Sequence, residues 1–322
     1  MKLRIILISS FFLSIIFSCR ENSDSGNNII NPTLGGVYTE IEGDISGTLA
    51  LIDSPFLVVG DISVLANDTL KIDAGVTLFF ENDTKLTSTG VILAEGTILN
   101  PIIFTSFSFL FGWSGISIIN QTNPSTFKFC IVQEVFQQNT DPLMQGAIDV
   151  SNSNVVVENC VFKINSCIYG GGLFILNSDA VIKNNIFRDN DAEIYGGAMF
   201  LQNSHCVIIN NTIYNNTCFN YGGGIVLQDP LTTEIQNNIF FSNLSFTGDN
   251  RISIVTGDSS NVNEQYNYLA FGSMNPMFIS NDDLHLSSDS PCINNGNPAP
   301  EYNDVNGTRN DQGAFGGPLG NW

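Results

Sequence analysis

The chain has 322 residues, 43% of them hydrophobic and 13% charged, with 31 acidic side chains against 11 basic ones and a formal charge of −20. So negative a surface repels nucleic acid and anionic polysaccharide unless a cation bridges them, so DNA and RNA are not expected partners; the acidity also serves solubility. With His205 and His285 the only histidines and no C-x-x-C pair among the cysteines, a zinc site of ordinary spacing is not offered.

The first element in chain order is MKLRIILISSFFLSIIFSC, in which Lys2 and Arg4 precede an apolar run from Ile5 to Phe17. The run is short beside the roughly 20 residues of a membrane-crossing helix and ends on a small residue, so residues 1–18 read as a signal peptide. Ile16-Phe17-Ser18-Cys19 resembles the lipobox of bacterial lipoproteins, which implies cleavage before Cys19 and acylation of that residue. Residues 20–31, RENSDSGNNIIN, have little to bury and suit a flexible tether, so 19–39 is expected to join a lipidated Cys19 to the folded body. Without Lys2 and Arg4, nine of the 11 basic residues remain against 31 acidic ones, a formal charge of −22. The other cysteines, Cys130, Cys160, Cys167, Cys206, Cys218 and Cys292, are permitted disulfides by export, but their spacing specifies none.

From Gly146 the chain repeats. GAIDVSNSNVVVENCVFKIN, GGLFILNSDAVIKNNIFRDN from Gly171, GGAMFLQNSHCVIINNTIYNN from Gly196 and GGGIVLQDPLTTEIQNNIFFSN from Gly222 share one order of parts at a period of 25 to 27 residues. Each unit has glycines, a short apolar run, a polar turn, a β-rich run and an Asn pair or Asn-Cys, then F-x-x-N or a close relative. Runs of four to eight residues rich in Val, Ile and Phe and broken by Asn, Ser, Asp and Gly predict strands and turns. One such unit cannot bury its own apolar face, but stacked copies can, each strand pairing in parallel with its counterpart about 4.8 Å away. The predicted fold is all-β, a single-domain parallel β-helix.

Stacking brings equivalent residues into columns. Phe162, Phe187, Ile213 and Phe240 form an apolar interior column. Asn159, Asn184, Asn210 and Asn237 form one Asn column, and Asn185, Asn211 and Asn238 the next, with Cys160 and Cys130 in its earlier coils. Asn165, Asn190, Asn216 and Asn243 form another. Stacked amides hydrogen-bond from coil to coil at tight corners; which of the two adjacent columns faces inward stays open, because a bend falls between them. Upstream, 68–80, 90–106 and 113–133 repeat short β-rich runs less regularly, and 261–270 reads as a decaying last coil, which sets the body at 40–270 and a closing segment at 271–322.

The F-x-x-N motifs at Phe162–Asn165, Phe187–Asn190 and Phe240–Asn243, alternating with glycine-aliphatic motifs from Gly171, Gly196 and Gly222, resemble the repeats of polymorphic outer-membrane proteins. More broadly the coils are similar to right-handed β-helix proteins of the pectin-lyase-like superfamily, and IDAGVTLFF, LAEGTILNPIIFTS and WSGI resemble the entry coils of exported bacterial members. Residues 290–317 resemble the closing segment of the same exported group. The resemblance implies a right-handed solenoid in the cell envelope, on the outer membrane or cell surface, and implies no one activity, since the fold hosts lyases, hydrolases, esterases and adhesins.

Tyr-Gly-Gly at 169, 195 and 221 is followed by strand residues, with neither the Lys-Ser/Thr of a P-loop nor a helix, so these glycines read as corners. Tyr169, Tyr195 and Tyr221 stack along one edge, either packing on one another or presenting rings to sugar. In RDNDAE, Arg188, Asp189, Asp191 and Glu193 supply the carboxylates that glycoside hydrolysis uses, or form a solvated turn; matching positions in adjacent coils are not acidic, and no His-Gly or Arg-Ile-Lys element completes a hydrolase pattern. Asp304, Asn306 and Asp311 around Gly307 offer oxygens to calcium, the one cofactor with a candidate site, or build a capping turn. The expectation is a lipid-anchored, exported and non-catalytic protein that binds a surface glycan or another surface, with a polysaccharide lyase or glycoside hydrolase as the alternative.

Overall fold

The structure is a computed structural model that describes residues 28–31, 36–108, 111–137, 145–247, 249–270 and 273–322. Apart from three 3-10 turns, every regular element described is a strand. One middle coil shows the plan. Ile148–Ser151 makes the first face, Asn154–Glu158 the second, Val161–Lys163 the third and Ser166–Tyr169 the fourth, after which Leu173–Leu176 lies on the first face again, one coil along.

Each strand pairs in parallel with its equivalents, as in Leu173 with Met199 and then Ile225, or Phe187 with Ile213 and then Phe240. The second face is a nine-stranded sheet from Gly47–Leu49 to Val262–Gln265, and the fourth has four strands. Phe56–Val64 pairs with both Thr77–Phe80 and Lys85–Ser88, joining the first and third faces into one 18-stranded sheet. At the N-terminal side Gly36–Asp44 runs parallel to Phe56–Val64 and antiparallel to Asn28–Asn31, a strand inside the stretch read as a tether.

The side chains that alternate inward fill the solenoid. Phe162, Phe187, Ile213 and Phe240 are fully buried, with Phe162 and Phe187 stacked at 4.7 Å, and Trp113 stacks on Phe80 at 4.0 Å. At about 1.5–3 kcal/mol per buried large side chain, such columns supply the main driving force for stacking.

The corners settle which Asn column points inward. Asn159, Asn184, Asn210 and Asn237 adopt φ of +53° to +57°, a left-handed conformation that Asn tolerates, and so form the bend itself. The residue after each turns into the core: Asn185, Asn211 and Asn238 are fully buried. Asn211 Oδ1 accepts from Asn185 N at 2.9 Å and Asn185 Nδ2 at 3.0 Å, and Asn238 Oδ1 does the same for Asn211 at 2.7 and 3.0 Å. Asn267 continues this ladder downstream. Upstream, Cys160 N donates to Asn185 Oδ1 at 2.9 Å and Cys130 N to Cys160 Sγ at 3.4 Å, so thiols stand in for amides there. Asn165, Asn190, Asn216 and Asn243 form a second interior amide ladder.

The bend column has a separate task. Asn237 Oδ1 accepts from Asn297 N at 2.7 Å, and Asn210 Nδ2 donates to Asp311 O at 2.9 Å. Asn184 Nδ2 donates to Ala314 O and Gly316 O, and Asn159 Nδ2 to Leu319 O at 2.9 Å. The C-terminal segment therefore runs back along one corner of the solenoid, one Asn per coil, until Trp322 meets Phe129 with ring centres 6.4 Å apart.

Candidate functional site

The fourth face consists of Ser166–Tyr169, Asp191–Tyr195, Thr217–Tyr221 and Leu244–Thr247. Its inward positions are small, with Cys167, Ala192 and Cys218 all buried. Burial raises their thiols, Cys167 well above the ordinary range and Cys218 to about 11, so these cysteines act as core side chains. Period-2 alternation sends the flanking residues outward. Asp191, Thr217 and Leu244 stand in one outward column and Tyr195 and Tyr221 in another, with Glu193, Phe219 and Phe246 between them.

Gly170, Gly196 and Gly222 follow the tyrosines at φ of +53°, +67° and +69°. A Cβ on Gly170 would run into the Leu173 carbonyl and one on Gly196 into that of Met199, so glycine is required for the chain to turn back onto the first face. The turn folds the tyrosines over that face. Phe174, Phe200 and Val226 point out of it yet are buried, because Tyr169 and Tyr195 each lie 5.4 Å from the Phe200 ring. The three tyrosines form a ladder at 5.9 and 6.0 Å; Tyr169 and Tyr195 are half-buried by this packing and Tyr221 is exposed.

Beside Tyr221 the face is openly apolar. Phe219 is 62% exposed, Phe246 77% and Leu244 56%, and the two phenyl rings lie 5.2 Å apart. Nothing in the repeat marked these residues, because the later coils replace polar positions with apolar ones. Counting back two residues from Tyr221 would have found Phe219.

The stretch 188–193 is divided by the corner. Asp189 sits at the bend with φ +55°, its Oδ2 held by Arg188 Nε at 2.7 Å and its Oδ1 by Asn215 Nδ2 at 2.6 Å. Arg188 belongs to the third face and also lies 3.9 Å from Asp282. Asp282 is carried there by an antiparallel turn in which Phe278 bridges Leu286 and Asp283 Oδ1 meets His285 Nδ1 at 2.6 Å. That bond to His285 holds the Asp283 carboxyl below its usual range. Asp191 and Glu193 project together from the fourth face, and Thr217 Oγ1 donates to Asp191 Oδ1. The sequence also carries an Asn-Thr-Asp tripeptide at 139–141, an element of the hydrolase pattern, which lies outside the described residues.

Asp304 organises a turn: its Oδ1 accepts from Asp311 N at 3.0 Å and Gly317 N at 2.6 Å. Asn306 Oδ1 accepts from Thr308 N at 2.9 Å and Asp311 Oδ1 from Asn294 N at 2.6 Å. Burial, with the nearby Asp304 charge, pushes the Asp311 carboxyl up. Among the described residues no three His, Cys, Asp or Glu side chains converge as metal ligands. Cys19 and the leader before it lie outside the described residues.

Parallel coils with interior amide ladders and left-handed Asn corners define a parallel β-helix. Residues 89–286 match the sequence model of the family described as right handed beta helix region. The chain belongs to that family. Searches of the curated proteins and of the solved structures return no significant match.

Proposed function

We propose that this is an exported β-helix protein, anchored by a lipid on Cys19, that binds a surface glycan with its fourth face and carries out no reaction there. The observation that carries the reading is the aromatic edge, in which Tyr169, Tyr195 and Tyr221 climb one ring per coil and end beside the exposed Phe219 and Phe246. Rings presented in register on a rigid solenoid are organised before a ligand arrives, so binding orders little. A glycan array probed with the full mature chain is expected to give signal for a subset of saccharides, and an empty array would refute the reading. Palmitate labelling in the native host is expected to disappear in Cys19→Ala; unchanged labelling would remove the anchor.

The enzymatic reading draws on Asp191 and Glu193 projecting from one face. Incubation with uronic-acid and neutral polysaccharides, with and without calcium, decides between the two, since new reducing or unsaturated ends would establish catalysis.

A further inference from the structure

We propose that the ligand contact surface is the platform made by Phe219, Tyr221, Leu244 and Phe246, with Asp191 and Glu193 as hydrogen-bond acceptors at its N-terminal side, and that it selects an uncharged glycan. The inference rests on the glycan-binding reading above and names its site and ligand class. Three observations carry it.

The first is the disposition of the exposed rings. Phe219 and Phe246 are one coil apart at 5.2 Å, and Tyr221 continues the Tyr195 column at 6.0 Å. Two adjacent columns therefore present rings along the solenoid axis, the arrangement that lets successive pyranose C–H faces stack on successive rings. Tyr169 and Tyr195 give one side of their rings to Phe200 and serve as support.

The second is extent. With exposures of 62%, 77%, 56% and 39%, the four side chains present roughly 450 Å² of surface, taking aromatic side chains at about 200 Å² each. A stable protein interface takes about 800 Å² per partner. The platform is about half of that and the size of a few sugar rings, and it falls in the range of the largest apolar patch on a typical monomer, which is often functional.

The third is charge. The strands SCIY, DAEIY, TCFNY and LSFT contain Asp191 and Glu193 and no Lys or Arg, on a chain of formal charge −20. Carboxylates beside aromatic rings accept hydrogen bonds from sugar hydroxyls and repel uronates, which need a cationic partner that this face does not supply.

The test is calorimetric titration of the full mature chain, and of its Phe219→Ser/Phe246→Ser variant, with cellohexaose, chitohexaose and oligogalacturonate. Expected is binding of a neutral oligomer, at least tenfold weaker in the variant, with oligogalacturonate inert. Both phenylalanines are mostly exposed, so the variant should unfold at the wild-type temperature, which circular dichroism verifies. Neutral oligomers bound equally by the variant would overturn the platform while leaving the glycan reading standing. Oligogalacturonate bound as well as the neutral chains would overturn the ligand class. A dimer in solution that the variant dissolves would assign the face to a second copy and overturn the inference, and an empty glycan array would remove it with the reading it rests on.

Discussion

The interior amide ladder predicts a large and position-specific cost for losing Asn211. In Asn211→Ala the acceptor of Asn185 N and of one Asn185 Nδ2 hydrogen disappears, in a site with no exposure. The donors to Ile182 O at 2.9 Å and to Asn238 Oδ1 at 3.0 Å go with it. Asn238 Oδ1 keeps the Asn211 backbone N–H, so the two orphaned donors on Asn185 dominate. At about 1–3 kcal/mol for each buried unsatisfied group, the variant loses roughly 2–6 kcal/mol, much of the 5–15 kcal/mol typical of a folded protein. Asn211→Cys should lose less, because Cys160 occupies the equivalent place with its Sγ accepting from Cys130 N and reaching Glu158 O at 3.2 Å. Cys160→Asn should conversely gain about 1 kcal/mol by extending the amide ladder one coil. As a control, Asn203→Gly removes an exposed amide at a φ of +47° that glycine adopts freely, and should cost well under the core variant. Urea unfolding followed by circular dichroism gives the order, and amide hydrogen exchange at 185 shows whether the damage is local. An Asn211→Ala chain within about 1 kcal/mol of wild type would refute the argument that the ladder satisfies otherwise stranded donors.

Three further outcomes follow from the same structure. Gly170→Ala should cost about 1–3 kcal/mol for its left-handed backbone, with the Leu173 clash in addition, whereas Gly43→Ala, where a Cβ meets nothing within 4 Å, bears the backbone cost alone; equal losses in urea unfolding would refute the clash. Burial raises the Cys206 thiol from 9.0 to about 12, so the folded state holds a proton that the unfolded chain releases, and this thiol contributes stability present below pH 9 that falls by about 1.4 kcal/mol per pH unit toward pH 12. Burial raises Cys130, Cys167, Cys218 and Cys292 as well, which steepens the total fall, so Cys206→Ala should lessen the slope in urea titrations by that one contribution, and an unchanged slope would exonerate this thiol. On the second face the inward column Val157, Ile182, Ile208, Ile235 ends at Glu264, a charge placed where the last coil would otherwise offer an apolar edge. Glu264→Leu should self-associate in analytical ultracentrifugation, and a variant that stays monomeric would show that other features of the last coil blunt the edge.

Much of this solenoid is readable from the chain because its information is local and repeated. Alternation in VVVE, VIK and VII sets inward and outward sides, and an Asn that tolerates positive φ at each bend sets the corners, so the apolar and Asn columns line up once the period is known. The direction of two neighbouring Asn side chains was not readable, because one bend of the backbone reverses which of them meets the interior. Nor was the division of 188–193, where the corner at Asp189 sends Arg188 toward Asp282 and leaves Asp191 and Glu193 on another face.

What the sequence determined by itself is the repeat, and with it the parallel stack, since a unit of about 25 residues has no other way to bury its apolar face. Only the tertiary structure decided the partners of residues far apart in the chain. Asn159, Asn184 and Asn210 look like repeat filler until Leu319, Ala314 and Asp311 arrive, from 101 to 160 residues away, to use their amides. The same holds for the exposed platform. Phe219 and Phe246 are ordinary strand residues in sequence, and become a surface because nothing in the described fold returns to cover the fourth face as the tyrosines cover the first.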